Sequence, residues 1–309
     1  EKIPLPVNSS QSNLFVNSLL EDTGRQCIWI GTEGYLFQYF PSTGQMKQTE
    51  AFHNNSIKSL ALDGNGYLLA GTDNGLYVYH NDVTPLQHII HDSRNIQSLT
   101  NNIIWNIFAD QEHNIWLGTD YGISLSRYNS ALQFIPISQI TGTGDGNQFY
   151  SLFRDSKGFY WFGGTNGLIR FTDPAGDKHN AIWYRMGDKT YPLSHNRIRH
   201  IYEDKEQQLW IATDGSINRY DYATRQFVHY NIVDSTGTYN TNWTYYMFED
   251  NAGHLWISTC LGGIFVVDKH RLMQSASGQY VAEQNYSVHN GLSGMFINQI
   301  IPDNEGNVW

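Results

Sequence analysis

The side chains able to do chemistry are plentiful but badly spaced for it. The chain holds 12 histidines and two cysteines, Cys27 and Cys260. Neither His-Glu-x-x-His nor Cys-x-x-Cys occurs, the spacings that place two metal ligands side by side. No phosphate loop and no Gly-x-Ser-x-Gly elbow is present. The glycine-rich stretch 142–146 lacks the lysine and following helix of a phosphate cradle, and reads as a loop. Acidic loops carry no Asp-x-Asp-x-Asp-Gly run for calcium. Glycoside hydrolysis needs two carboxylates ~5–9.5 Å apart. Glu33, Asp73 and Asp120, expected on one face, therefore keep an enzyme reading open. The Ser-x-Asp-x-Gly-x-x-Trp turn of several glycan-cleaving enzymes is absent. No catalytic residue, cofactor or metal is assigned.

Recognition is better supported. Seven side chains stand five residues before an aspartate: Asn17, Lys58, Trp105, Tyr150, Arg199, Tyr245 and Asn298. Two positions earlier come Phe15, Ser56, Ile103, Gln148, Arg197, Trp243 and Phe296. Aromatic faces stack on the apolar face of a pyranose, and Arg and Asn serve its hydroxyls. The candidate ligand-binding residues are Trp105, Tyr150, Arg199, Trp243 and Tyr245, with Asp120 and Tyr121 from an adjoining loop. The competing reading packs Trp105 and Trp243 against neighbouring loops or a partner domain.

These side chains recur because the chain repeats. A phrase of the form apolar-Trp-apolar-Gly-Thr is anchored at Trp29, Leu69, Trp116, Trp161, Trp210, Trp256 and Trp309, at intervals of 40 to 53 residues. An aspartate precedes the anchor by six residues at Asp63, Asp110, Asp155, Asp204, Asp250 and Asp303, and by seven at Asp22. Turn residues such as Asp63-Gly64-Asn65-Gly66 lie between, as hairpins require. Each repeat therefore reads as four short antiparallel strands, A to D, the unit of a propeller blade. The expectation is one all-β propeller domain over 1–309, seven-bladed, with the seventh blade incomplete because it has strands A and B only. Residues beyond Trp309 would finish that blade; alternatively residues 1–13 supply a closing strand, confined by Pro4 and Pro6 to an edge.

The columns have physical reasons. The anchor tryptophan is expected to wedge between blades with its indole N–H partnered. The aspartates are expected to cap turns. The position six before the aspartate is mostly apolar, as packing demands. Strand A runs down and strand B returns, so D-to-A and B-to-C loops share one face. The long, varied D-to-A loops at 88–102, 138–148, 186–196, 234–242 and 284–294 make that face the better recognition surface.

The segments from Asp110 to Gly122, Asp155 to Gly167 and Asp63 to Gly75 resemble the two-component regulator propeller repeat. Departures are Leu69 for tryptophan, Ala212 for glycine, and Ser258, Cys260 and Leu261 in the sixth repeat. The resemblance implies a periplasmic sensor region of a hybrid two-component system of Bacteroidetes, controlling polysaccharide-utilisation genes. It implies an oligosaccharide ligand, an adjacent propeller and β-sandwich, a homodimeric intact sensor and a downstream histidine kinase. This segment is then not itself an enzyme. A protein-interaction scaffold is the alternative to both sensor and enzyme.

Charge narrows the partners. Lys and Arg number 19 against 29 Asp and Glu, a net charge of −10. Neither a nucleic acid nor an anionic membrane surface suits that balance. Two cysteines cannot build a disulfide framework. No apolar run approaches the ~18 residues of a membrane span. No charged-then-apolar leader opens the chain, which reads as mature or trimmed.

Overall fold

The computed structural model describes residues 3–6, 14–48, 55–80, 84–95, 97–128, 148–172, 181–190, 192–275 and 279–309. The first sheet comprises β1 (Val16–Asp22), β2 (Cys27–Thr32), β3 (Leu36–Phe40) and β4 (Gln45–Gln48). The second holds β5 (Ile57–Leu62), β6 (Leu68–Thr72), β7 (Gly75–Tyr79) and β8 (Gln87–Ile89). The third has three strands among the described residues: β9 (Ile104–Ala109), β10 (Ile115–Thr119) and β11 (Gly122–Ser126). The fourth comprises β12 (Phe149–Arg154), β13 (Tyr160–Gly164), β14 (Gly167–Phe171) and β15 (Ile182–Tyr184). In the fifth lie β16 (Ile198–Glu203), β17 (Leu209–Thr213), β18 (Ser216–Asp221) and β19 (Gln226–Val233). The sixth starts with β20 (Thr244–Glu249), β21 (His254–Thr259) and β22 (Ile264–Asp268). A short helix α1 (Lys269–Gln274) follows, then β23 (Gln279–Val281), which pairs in parallel with β19, and β24 (Gln284–Tyr286), which completes the sixth sheet.

Six blades of three or four strands, one extended by β23, correct the expected seven. The repeat around Trp309 builds no sheet. Its ladder is limited to a bridge between Pro302 and Val308 and the paired backbone of Ile301 and Trp309. Two short segments with so few hydrogen bonds do not make an independent sheet. They lie against the first and sixth blades instead: Gln299 accepts the Leu19 N–H, Trp309 packs on Tyr39, and Ile300 is buried with Phe248. Residues 3–6 form no strand, and residues 7–13 of the alternative closing segment lie outside the described residues. So do most of the 138–148 loop and the whole 142–146 stretch.

The tryptophan column behaves as its chemistry requires. Trp29, Trp116, Trp161 and Trp210 are fully buried. Each donates its indole N–H to its repeat's aspartate, at 3.1, 2.8, 2.7 and 2.9 Å. In the fourth repeat, the other Asp155 oxygen accepts the turn N–H groups of Lys157 and Phe159. One carboxylate thus fixes both the hairpin and the wedge.

The glycine of the repeat phrase has a different reason from turn formation. A Cβ on Gly163 would sit 2.4 Å from Ile198 Cγ2 of the next blade, and one on Gly31 or Gly71 would meet Ile57 or Ile104 at 2.6 or 2.7 Å. Strand A of each blade presses on strand B of the one before. Ala212 is tolerated where the corresponding residue of the next blade is Thr244 instead of isoleucine. Gly163→Ala is expected to cost about 1–3 kcal/mol by overpacking. Ile198→Thr, which copies the Ala212–Thr244 pairing, should recover part of that loss. A double-mutant cycle by urea denaturation checks it, and strict additivity would refute the contact.

A second set of contacts stitches blades together. Ser59 Oγ accepts the Ile107 N–H at 3.0 Å, Ser151 Oγ accepts that of Ile201 at 3.0 Å, and His200 Nδ1 accepts that of Met247 at 3.3 Å. These acceptors stand four residues before the repeat aspartate, so each reaches from strand A to the innermost strand of the next blade.

Candidate functional site

The six inner strands surround a central channel of about 780 Å³. All seven residues five before the aspartates line it: Asn17, Lys58, Trp105, Tyr150, Arg199, Tyr245 and Asn298. From Lys58 to Tyr245 they touch one another in sequence around the wall. Lys58 Nζ lies 4.2 Å from the Trp105 ring centroid. Trp105 meets Tyr150 edge-on at 5.1 Å. Arg199 lies over Tyr150 at 5.5 Å and over Tyr245 at 4.5 Å. Tyr245 packs on Phe296, and Phe296 on Phe15. Asn298 donates to Asn17, closing the circuit on the polar side.

Each cation is already neutralised. Lys58 pairs with Asp73 at 2.9 Å, and Arg199 with Asp214 at 2.7 Å. The Trp105 indole donates to Asp120 in the same way. In all three the carboxylate stands 15 residues after its partner, at the start of the B-to-C loop. Strands A and B are antiparallel, so that offset returns the chain to the same height. The 15-residue offset was visible in the sequence, and it identifies Asp73 and Asp214 as supports of the ring. Burial alone would lower the pKa of Arg199, but its hydrogen bonds to Asp214 and the nearby tyrosines more than offset this and hold it above the ordinary value. Burial raises the phenols of Tyr150 and Tyr245, against the pull of Arg199. Arg199 therefore stays cationic and the two phenols neutral across the physiological range.

Below the ring, His200 stacks on Tyr246 at 3.8 Å. One edge of the imidazole reaches the channel, while Tyr246 and the Met247 N–H seal the rest. Enclosure pushes its pKa well below the usual imidazole range. It is a neutral hydrogen-bond acceptor at working pH, committed to the neighbouring strand.

The seven expected ligand residues separate into three groups. Trp105, Tyr150, Arg199 and Tyr245 come together on the channel wall. Asp120 stands behind Trp105 as its acceptor. Tyr121 and Trp243 do not line the channel; they are 71% and 48% exposed on the outer rim. Trp243 adopts φ +55° and borders a separate shallow groove with Leu261. Asn17, Lys58 and Asn298 are the wall residues of that column left out of the expected set. Of the carboxylates kept open for hydrolysis, Asp73 and Asp120 are engaged as above, and Glu33 lines the channel. Among the described residues no group of three His, Cys, Asp or Glu is gathered to hold a metal ion. No helix among them is long and apolar enough to cross a membrane.

The two-component regulator propeller model matches residues 98–121, 143–166 and 192–215. Each match takes in strands A and B of its repeat. Two solved structures of the extracellular domain of BT4673 from B. thetaiotaomicron, one described as a putative one-component and the other as a putative hybrid two-component system, are similar to this chain. One is 92% identical over the whole of this chain and 42% of its own, with a TM-score of 0.55. The other is 94% identical over 99% of this chain and 41% of its own, with a TM-score of 0.56. Histidine kinase P4 of Formosa agariphila is 26% identical over 240 residues, 70% of this chain and 16% of the kinase. The chain thus spans about four tenths of the solved chains and a smaller part of the kinase.

Proposed function

We propose, from the premise that this chain belongs to the two-component regulator propeller family, that it is the ligand-recognising extracytoplasmic part of a periplasmic sensor. The channel mouth takes a short neutral oligosaccharide. Binding is read by a downstream histidine kinase that controls polysaccharide-utilisation genes. The observation that carries this reading is the ring of Lys58, Trp105, Tyr150, Arg199 and Tyr245 with its cations already paired. Aromatic faces and tyrosine hydroxyls suit a sugar. A ring whose charges are internally compensated offers little extra to an anionic ligand. Signalling requires the ligand to favour one arrangement of the sensor over another. The exposed rim of Phe15, Tyr121, Trp243, Leu261 and Phe296 supports a docked neighbour on the same face. An adjoining propeller or β-sandwich, within a homodimeric sensor, would fill that role. The same rim supports the scaffold alternative if no sugar binds.

Titration calorimetry of the full extracellular region with neutral di- to hexasaccharides tests the reading. Trp105→Ala and Arg199→Ala are expected to weaken binding at least about tenfold, the scale of one lost stacking or charge-assisted contact. Parent-like affinity in both variants would remove the channel mouth as the site. Turnover of a glycan by this segment would favour a hydrolase.

A further inference from the structure

The boundary between the second and third blades is built differently from the others. Leu69 occupies the tryptophan column there. On the facing blade, the fifth residue of strand C is Ser126, where the second, fourth and fifth blades have Tyr79, Phe171 and Tyr220. At the other boundaries those aromatics share a cluster with the preceding blade's tryptophan: Trp29 with Tyr79, Trp116 with Phe171, Trp161 with Tyr220. Both bulky partners are therefore missing from one boundary. The result is a cavity of about 300 Å³ with an apolar floor that includes Leu69, Leu76, Ile115 and Leu117. It shares no lining residue with the central channel.

Asp63 at the cavity supplies the second observation. Its Oδ1 accepts the Asn65 and Tyr67 N–H groups, as in the other repeats. Its Oδ2 is the atom that elsewhere accepts an indole N–H, for example at 2.7 Å from Trp161 to Asp155. Among the described residues Asp63 Oδ2 has no partner.

We propose that this boundary binds a small planar aromatic molecule carrying one N–H or O–H donor, such as an indole or a phenol. The ring fills the space of the missing tryptophan, and the donor meets Asp63 Oδ2. An apolar cavity of ~150 Å³ already takes benzene. The larger volume here accommodates a bicyclic ring with a substituent. Binding would tighten this boundary, a role independent of any sugar in the channel.

Indole is the probe, added to the purified chain and followed by calorimetry and by thermal denaturation. The expected result is saturable one-to-one binding with a dissociation constant on the order of 0.1–1 mM, reasonable for a nine-atom ligand. Leu69→Trp should fill the cavity from within, raise the melting temperature and abolish binding. Ser126→Phe should do the same from the opposite wall, which guards against misfolding of either variant. Asp63→Asn keeps the turn acceptor but places an amide at the second position. It should weaken indole roughly tenfold while leaving naphthalene, which has no donor, unaffected. Failure of the parent chain to bind indole, or parent-like binding in both filled variants, would overturn the proposal.

Discussion

Lys269→Met is expected to destabilise the propeller by about 3 kcal/mol, the lower end of the range for breaking a buried ion pair. The Lys269 side chain opens α1 and has 0% exposure. Its ammonium lies 2.8 Å from Glu249 Oε1 and 3.2 Å from Asp204 Oδ2, with Glu206 at 3.7 Å. Asp204 also receives the Trp210 indole. One cation thus holds the fifth and sixth blades through the carboxylate that anchors a tryptophan. Removing it strands two buried carboxylates. Glu206 is half exposed and brings water near, which argues for the lower end. Burial would lower the Lys269 pKa, but its bonds to Glu249 and Asp204 more than offset this and raise it. The stabilisation is therefore complete below the unfolded value of ~10.4 and is lost as pH rises through the folded one. Urea denaturation at pH 7 measures the cost; a loss below ~1 kcal/mol would show that the triad is no more than a surface pair.

Trp161→Ala should cost about 3–5 kcal/mol, the range for deleting a buried large aromatic. The ring is fully buried, stacked on Tyr184 at 5.9 Å and edge-on to Tyr220 at 5.0 Å. Its loss also empties one Asp155 bond, leaving Tyr222 as the remaining side-chain donor to Oδ2. Trp161→Leu should cost clearly less, because Leu69 shows that the column accepts leucine. Calorimetric unfolding of both variants provides the comparison. Equal losses would mean that the indole hydrogen bond and ring area contribute nothing beyond an aliphatic filler.

Much of this architecture was readable from the chain. The aspartate and tryptophan columns fixed strands, turns and the two faces, because each column repeats one local hydrogen-bonding problem. Counting back five residues from each aspartate found the channel wall, since strand parity is rigid in a hairpin. Trp243 escaped that logic. It lies before strand A begins, and its left-handed backbone turns it to the rim. Lys269 was invisible because it comes from a helix that, among the described residues, the sixth repeat alone carries, and no column predicts such a contact. The sheet count differed because a recurring phrase signals a unit only when enough partner strands form hydrogen bonds. The Leu69 departure was visible, but its meaning required Ser126 across the boundary.

The matched glycine and isoleucine at three of the borders carry a consequence for ancestry. Tandem genes grow and shrink by unequal crossing-over, which deletes or duplicates whole modules. Here the modules are keyed: duplicating the fifth would bring Ala212 against a copy of Ile198, where even the Cβ of an alanine has no room. Recombination between copies should therefore leave few survivors, and change in this array should proceed by paired point substitution across borders.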